Sequence, residues 1–338
     1  VDLNLDSGLG DITSNKNIQL FSGGDEKVAA IKHANNSDYW IIEMDINKEN
    51  EMDTLLALVK PNIRILTNIG KAHTSNFEND QGYINEKIKF IENNLEDNTI
   101  LILNNYNKII RDLEIKNKNI TILTSGASKN DNVKILKYKL NDNNVSSYVE
   151  IETIKGIIKI NYEGINKHMA QNICLAIVYP IYLNIPLNEI EENLNNFAMY
   201  NNRGNIIIKK KFILYNFSYN CNPTSINSNL QDFERTKSNN KLIILGDMYE
   251  IRNILIESNE VIKLCSKITS NIASESTKYN NILKEFKHNN SLISLNLNNL
   301  KKNLYNFIKN QKQQILIFIQ GSSQSKMSEI VDYLNDIF

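Results

Sequence analysis

Short apolar runs alternate with stretches of helical periodicity along most of this chain, and that alternation limits the folds open to it. Examples are YWIIEM at 39–44 and TILIL at 99–103, and runs of this length are typical of buried strands. Strands that alternate with helices form parallel sheets with helices on both faces. We therefore expect an α/β fold.

The predicted elements form two series. The first has strands at 39–44, 63–67 and 99–103, helices at 50–58, 80–95 and 106–114, short strand-like runs from 119 to 162, and two helices within 167–197. The second has strands at 206–208, 212–216, 241–245 and 314–319, and helices at 224–235, 256–267, 297–310 and 324–337. We place a domain boundary near residue 200, which gives a domain of residues 1–200 and a C-terminal domain of residues 201–338.

Charge and hydropathy exclude several classes of protein. Lys and Arg total 38, as do Asp and Glu, which argues against a nucleic-acid binder that depends on a basic surface. No apolar run reaches 18 residues, so we expect no membrane span, and the first residues do not resemble a signal peptide. The three cysteines, Cys174, Cys221 and Cys265, are far apart, which predicts neither a disulfide framework nor a CxxC metal site and fits the cytoplasm.

The composition is skewed toward Asn, Ile and Lys, with only 12 Gly and 4 Pro. Gly and Pro are the strongest local breaks, so element boundaries must be predicted from periodicity. We attribute the skew to coding bias in an A- and T-rich genome. An Asn within a motif therefore carries less information than usual.

Polar residues at strand ends are the first candidates for a functional site. Glu43 ends the run 39–44, and His73 lies in the segment 67–73 after the next strand. Ligands of open α/β sheets bind beyond the carboxyl ends of strands, where a carboxylate suits Mg²⁺ and an imidazole can bind a metal or a phosphate. We expect both residues, with Lys87 on the following helix, to meet at one edge of the first sheet. The alternatives are that Glu43 is a solvent-facing acid at a strand end, that His73 is an ordinary loop residue and that Lys87 is a surface lysine.

Two further polar segments follow strands of the second series. Segment 216–223 comes after 212–216, and segment 246–248 comes after 241–245. In the first of these, the polar residues before Pro223 are also what a turn and a helix N-cap require.

Taken together, these segments resemble the Mur ligase family, most closely its MurF type. The segments that occur in the family's order and spacing are 67–73 with Phe77; Gly164, His168 and Asn172; 201–203; 218–220 with Asn222 and Pro223; and 246–250. Segment 4–10 resembles the family's first loop. The resemblance covers the chain from about residue 4 to about residue 334. It implies a central parallel-sheet ATPase domain followed by a Rossmann-like C-terminal α/β domain.

The resemblance implies an ATP-dependent amide-bond ligase of peptidoglycan precursor synthesis. Such an enzyme adds D-alanyl-D-alanine to UDP-MurNAc-tripeptide through an acyl phosphate, with Mg²⁺, in the cytoplasm. It serves cell-wall biogenesis and, through it, cell shape and division.

The resemblance also implies roles for individual residues. Glu43, His73 and Lys87 correspond to residues that serve the magnesium sites, and Lys87 to a lysine that the family carbamylates. Asn172 corresponds to a residue that contacts adenine, and Arg203 to one that reaches the γ-phosphate. Lys87, His73 and Arg203 would thus be catalytic, whereas Asn220 and Asn222, with Ser218 and Tyr219, would line the cleft and help to bind the nucleotide.

Several features depart from the family pattern. The 338 residues contain no G-x-x-G-K-[ST] segment, which supplies a phosphate cradle, a lysine and a magnesium-binding hydroxyl, and no counterpart of the UDP-binding N-terminal domain. Phe217 replaces an acidic residue, Asn105 and Tyr106 replace an acidic pair, and Met169 replaces an Asn. The turn 320–323 has lost two cationic residues.

These departures leave three hypotheses open. The first is a truncated or split ligase that works with a separate N-terminal or P-loop segment. The second is a catalytically degenerate homologue that keeps the fold as a remnant or a binding partner. The third is a family member that acts on another acid and amine.

Nucleotide affinity tests the consequence of the missing phosphate cradle. We expect these 338 residues alone to bind Mg-ATP no more tightly than about 1 mM, because the cradle is absent and Phe217 removes a carboxylate partner for the ribose. Titration calorimetry measures this. A micromolar dissociation constant would reveal a phosphate site elsewhere in the chain.

Overall fold

The computed structural model of the protein describes residues 18–21, 39–71, 74–197, 202–286 and 291–338. Its strands form two six-stranded sheets and a separate two-stranded pair. Helices pack on both sheets, which confirms the predicted α/β class.

The first half of the chain contributes the first large sheet. The strands of this half are β1 (Ile18–Phe21) and β2 (Tyr39–Ile42), which form the two-stranded pair, and β3 (Ile63–Leu66), β4 (Ile100–Asn104), β5 (Thr121–Ser125), β6 (Val133–Leu140), β7 (Ser146–Thr153) and β8 (Gly156–Glu163), which form the large sheet. Its helices are α1 (Glu51–Val59), α2 (Asp80–Glu92), α3 (Lys108–Arg111), α4 (Lys167–Tyr182) and α5 (Leu187–Asn195), and a 3₁₀ turn, Thr74–Asn76, precedes α2.

The second half contributes the other large sheet. Its strands are β9 (Asn205–Ile208), β10 (Phe212–Phe217), β11 (Lys241–Leu245), β12 (Ile272–Ser274), β13 (Leu292–Ile293) and β14 (Ile315–Gln320). Its helices are α6 (Pro223–Glu234), α7 (Ile254–Ile268), α8 (Thr277–Glu285), α9 (Leu297–Lys309) and α10 (Met327–Ile337), and a 3₁₀ turn, Ser323–Ser325, precedes α10.

The first large sheet is mixed, with the order β3-β4-β5-β6-β7-β8. Strands β3 to β6 are parallel, whereas β6, β7 and β8 form an antiparallel meander of eight-residue strands. Buried and exposed residues alternate along β8, because only one face of the meander packs against α4. The runs between 119 and 162 are thus longer strands than predicted.

The second large sheet has the order β13-β12-β11-β14-β10-β9 and is parallel except for β9. Every residue of β10, β11 and β14 is buried, as expected for strands covered on both faces. The predictions missed β12, α8 and β13. Strands of three and two residues are too short to show a periodicity.

Two predicted helices are shorter in the structure. The stretch 106–114 forms only α3, Lys108–Arg111, which Asn107 caps by accepting a hydrogen bond from the Ile110 amide. The stretch 324–337 begins as a 3₁₀ turn, and α10 starts at Met327.

The sequence predicted that Glu43 and segment 67–73 follow two strands of one sheet. The structure places these two strands, β2 and β3, in different sheets. Within the described residues, β2 pairs in parallel with β1 as a separate two-stranded sheet, and β3 is an edge strand of the first large sheet. The apolar run of β2 predicts a strand, but its sequence does not specify which neighbour supplies the main-chain hydrogen bonds.

The two large sheets are joined by buried polar contacts, which we call the polar seam. The polar seam comprises Asn144, Asn166, Lys167, Tyr215, Asn229, Asp232 and Lys237. Asn166 Nδ2 donates to Asn229 Oδ1 at 2.9 Å, the Lys167 amide donates to Asp232 Oδ2 at 2.9 Å, and Asn144 exchanges hydrogen bonds with the Lys237 main chain at 2.8 and 3.2 Å. The Tyr215 hydroxyl donates to Asn144 O at 2.8 Å.

The predicted domain boundary near residue 200 falls in 198–201, outside the described residues. The first large sheet spans 63–163 and the second 205–320, one on each side of that position. The division into domains at this residue stays a prediction.

On each large sheet, a buried cation donates hydrogen bonds to the last carbonyls of one helix. Arg64, on β3, is 1% exposed and donates to the carbonyls of Phe90, Asn93 and Asn94 at the end of α2, at 2.5–2.8 Å. Lys241, on β11, donates to the carbonyls of Phe233 and Glu234 at the end of α6. The last carbonyls of a helix have no partner within it, and the helix dipole favours a cation there. Burial lowers the pKa of both cations.

Asn occupies most of the left-handed backbone positions held by residues other than Gly. The described residues of this kind are Asn50, Lys60, Asn94, Asn98, Asn144, Asn184, Asn202, Glu250, Asn253 and Lys326. Asn tolerates this conformation better than most residues, since its short side chain bonds locally.

The three cysteines are free and buried. Burial raises the pKa of each thiol. None of the described helices is long and apolar enough to cross a bilayer.

The Arg64 cap can be tested through stability. We expect Arg64→Met to lower the free energy of unfolding by about 2–4 kcal/mol, because the buried carbonyls at the end of α2 lose their donor. Urea denaturation measures this. Arg111→Met, at an exposed arginine, is the matched control and should change stability by less than about 0.5 kcal/mol. A loss below about 1 kcal/mol for Arg64→Met would mean that other donors satisfy those carbonyls.

Candidate active site

The loop after β3 meets the start of α6, which follows β10, so the two large sheets approach each other at this point. The Lys71 amide donates to Thr224 Oγ1 at 3.1 Å. A Cβ atom at Gly70 would lie 3.0 Å from Thr224 Oγ1, so a larger residue here would displace Thr224.

A pocket of about 340 Å³ lies at this junction. Residues of both halves line it, among them Ile69, Lys71, Asp80, Tyr83, Thr224 and Glu257. Lys71 Nζ and Glu257 Oε1 form an ion pair of 2.6 Å at the pocket, and this hydrogen bond raises the pKa of Lys71. The pocket thus has apolar walls and charges of both signs, contributed by two separate sheets.

Lys87 lies on α2 and points toward the segment after β2. Its ammonium pairs with Asp45 Oδ1 at 2.5 Å, and the Lys87 side chain is only 15% exposed. The same ammonium lies over the Tyr83 ring, 5.8 Å from the centroid. The alternative of a solvated surface lysine therefore does not describe this residue.

Glu43 directly follows β2 and is half-buried, two residues before Asp45. The structure brings Lys87 to the segment that carries Glu43, and this segment follows a strand of the separate two-stranded pair rather than a strand of the first large sheet. His73 lies outside the described residues, so its part in this cluster stays a prediction. Sequence reasoning missed Asp45, and the only signal for it was a second acid in Glu43-Met44-Asp45.

The residues around Lys87 fit a hard cation only if the lysine is modified. Among the described residues, no three His, Cys, Asp or Glu side chains are grouped so that they could hold a metal. Glu43 and Asp45 offer the oxygen ligands that Mg²⁺ prefers, whereas an ammonium beside them repels a cation. A carbamylated Lys87 would replace that positive charge with a carboxylate-like group.

Arg203 lies against the start of the segment after β10. Its guanidinium stacks on the Tyr219 ring, 3.8 Å from the centroid. The adjacent Asn202 accepts hydrogen bonds from the Tyr219 amide and from Asn216 Nδ2. These contacts hold Arg203 at the carboxyl end of β10, with Tyr219 partly exposed.

Asn220 and Asn222 differ in what their side chains do. Asn222 is buried and forms the N-cap of α6, in a capping box with Ser225, as the turn-and-cap interpretation predicts. Asn220 is exposed, and its Oδ1 accepts from the Cys221 amide at 2.7 Å. Of the two, Asn220 is therefore the more accessible to a ligand.

Asn172 lies in α4, and its side chain is buried among helix residues that pack on the first large sheet. Burial also lowers the pKa of His168, one turn earlier on the same helix, which favours a neutral imidazole near pH 7. The predicted adenine contact of Asn172 stays a prediction.

The turn 320–323, where the family has two cationic residues, is neutral here. Gln320 Nε2 donates to Asn220 O and to Ser225 Oγ, so it ties this turn to the segment after β10. A lysine reaches the same edge of the sheet from α8, because Lys278 Nζ lies 3.2 Å from Asp247 Oδ1. Burial and the Asp247 carboxylate raise the pKa of Glu275 beside it.

Comparison with known proteins connects this arrangement to one family. Residues 13–179 match the Mur ligase middle domain. The UDP-N-acetylmuramoyl-tripeptide–D-alanyl-D-alanine ligase of Rickettsia prowazekii is 27% identical over 318 residues, which cover 89% of this chain and 67% of that protein. The ligase of the same name from Borreliella burgdorferi is 27% identical over 67% of this chain and 47% of its own length. The chain thus spans about half to two thirds of these curated relatives.

Solved structures have the same fold. MurF from Acinetobacter baumannii superposes with a TM-score of 0.81 at 20% identity, over 97% of this chain and 73% of that one. MurF ligase from Thermotoga maritima, in complex with ADP, gives a TM-score of 0.82 at 14% identity, over 97% and 75%. Because the middle-domain match and the relatives of one name agree with this fold, the chain belongs to the Mur ligase family and is of the MurF type.

Proposed function

We propose that this chain provides the central and C-terminal parts of an ATP-dependent ligase that adds D-alanyl-D-alanine to UDP-MurNAc-tripeptide. The observation that carries the proposal is that ligases of that name match both halves of the chain, up to 89% of its length. The cleft between the large sheets supports it, since ligands of α/β sheets bind beyond the carboxyl ends of the strands.

The proposed reaction has two steps. The terminal carboxylate of the tripeptide takes the γ-phosphoryl group of ATP and releases ADP. The amine of D-alanyl-D-alanine then attacks the acyl phosphate, and phosphate leaves as the amide forms. Both steps depend on positioning and on stabilisation of developing negative charge.

Arg203 would act on the first step. Its guanidinium is held by the Tyr219 ring at the carboxyl end of β10, and an arginine at the γ-phosphate stabilises charge on the transferred oxygens. The stack limits the orientations of the side chain and so reduces the entropy lost when a phosphate binds.

Glu43, Asp45 and carbamylated Lys87 are the residues that would hold magnesium, together with His73. When bound, Mg²⁺ supplies charge neutralisation at the phosphate oxygens. Before modification, Asp45 holds the Lys87 ammonium at 2.5 Å and so keeps the lysine directed toward Glu43.

The pocket at the junction would receive the amine substrate. Asp80 and Glu257 offer carboxylates to an amine, Lys71 offers a cation to a carboxylate, and Ile69 and Tyr83 offer apolar walls. A small zwitterion with methyl side chains matches this combination of charges and apolar surface.

The phosphate-binding loop would come from outside these 338 residues, either from the same polypeptide or from a separate segment. The residues would divide near position 200 into a nucleotide-binding domain and a ligase domain, and the enzyme would work in the cytoplasm, where ATP is present.

Lys87 allows a direct test with a neighbour as control. We expect Lys87→Met to lower ligation at least about 100-fold, because the modified lysine and its charge are lost. Lys89→Met, on the same helix but paired with Asp53 and Glu86, should change the rate by less than about threefold. Product formation is measured in the presence of a separately supplied segment that carries a phosphate-binding loop. Equal rates for the two variants would remove Lys87 from the mechanism.

Arg203 separates an active ligase from a degenerate homologue. We expect Arg203→Ala to lower turnover about 100-fold with little change in the free energy of unfolding, because its role is in the transition state. Tyr219→Ala should give an intermediate loss and Tyr219→Phe almost none, since only the first removes the ring. Ligation and urea denaturation are measured on each variant. Normal turnover in Arg203→Ala would contradict the assignment, and no turnover in the unaltered protein would favour a degenerate homologue.

A further inference from the structure

The loop after β11 reaches across the cleft and holds the turn that precedes α2. Arg252 donates through its amide to Thr74 Oγ1 at 3.2 Å, and through its guanidinium to the carbonyls of Thr74, at 3.4 Å, and of Phe77. The Ser75 amide donates in return to Glu250 O at 3.3 Å. These four hydrogen bonds join residues 250–252, in the second half of the chain, to residues 74–77, in the first half.

The backbone of this loop is shaped for the contact. Glu250 and Asn253, on either side of Arg252, both have left-handed backbone conformations, with φ of 58° and 56°. A left-handed glutamate is strained, and such strain persists only where the surrounding contacts determine it. The contacts of Arg252 and Glu250 with the turn are contacts of this kind.

A continuous series of contacts leads from Arg252 to Lys87. The Phe77 carbonyl accepts from Arg252, and the Phe77 ring packs edge-on against the Tyr83 ring, with centroids 5.3 Å apart. The Lys87 ammonium lies over that Tyr83 ring. Phe77 and Tyr83 are 3% and 4% exposed and share one apolar cluster with Ile46, Met52 and Leu56, so neither ring can shift without repacking the cluster.

We propose that Arg252 is a positioning residue that fixes the Lys87 ammonium from the opposite sheet, through Phe77 and Tyr83. The proposal rests on the proposed function insofar as Lys87 acts in ligation. Its consequence is that, although Asp45 holds the ammonium from within the first half, the full arrangement of Lys87 over the Tyr83 ring requires that the second half of the chain is docked against the first. The modification and use of Lys87 thereby depend on a closed cleft.

Amide hydrogen exchange tests the structural part of the proposal without any activity. In Arg252→Ala we expect exchange to rise about tenfold or more at 74–77 and through the first turns of α2, with β4 and β5 unchanged. Lys263→Ala, which removes an exposed lysine of α7, is the control and should change neither region. Unchanged exchange at 74–77 in Arg252→Ala would overturn the proposal, and so would a rise spread evenly over the first sheet.

Ligation kinetics test the positioning role. Arg252→Ala should lower kcat about 10- to 100-fold, with the KM for both substrates within about threefold, because a misplaced lysine affects reaction more than binding. Arg252→Lys should restore part of the rate. Adding Tyr83→Leu to Arg252→Ala should cost much less than Tyr83→Leu alone, since both act through one ring. Raised exchange with an unchanged kcat would overturn the positioning role. If the unaltered protein forms no product, the proposed function fails, whereas hydrogen exchange still decides whether Arg252 holds the turn.

Discussion

The polar seam is the contact on which the rest of the architecture depends, because it sets one large sheet against the other. Its members are buried amides, a hydroxyl and a carboxylate that bond across the two halves. A buried polar group that loses its partner is costly, so such contacts favour one arrangement over the many that apolar surfaces alone would permit. The cleft, the pocket beside Gly70 and the contacts of Arg252 all require that one arrangement.

The surroundings of Lys87 follow from this arrangement. Asp45 comes from the segment after β2, Tyr83 from the same helix as the lysine, and the turn that positions Tyr83 is held by Arg252 of the second half. Asp45 and Tyr83 thus contact the ammonium directly, and Arg252 is connected to it through Phe77 and Tyr83. These contacts distinguish Lys87 from Lys89, which is near it in sequence and pairs with Asp53 and with the buried Glu86.

The sequence predicted the α/β class, most strands of both large sheets and the family, because contiguous apolar runs and ordered motifs are local signals. Strands β12 and β13 were not predicted because they are too short to show a periodicity. The sheet to which β2 belongs was not predicted because it depends on a pairing partner elsewhere in the chain. Asp45 and Arg252 were missed for a related reason, since their importance comes from contacts with residues far away in sequence. Asn222 shows the converse, because a helix cap is a local motif and was predicted as one alternative.

Two of the left-handed asparagines make side-chain hydrogen bonds that glycine cannot make. Asn144, with φ of 59°, bonds the Lys237 main chain in the polar seam, and Asn202, with φ of 65°, accepts from Asn216 beside Arg203. Glycine would relax the backbone at either position but would remove the hydrogen bonds to the Lys237 main chain and to the buried Asn216 side chain. Glycine is therefore not equivalent to Asn at these two positions, although the two residues are nearly interchangeable in a solvent-exposed left-handed turn. At Asn144 the lost hydrogen bonds would be ones that join the two halves of the molecule, whereas at Asn202 the lost bond lies within the second half.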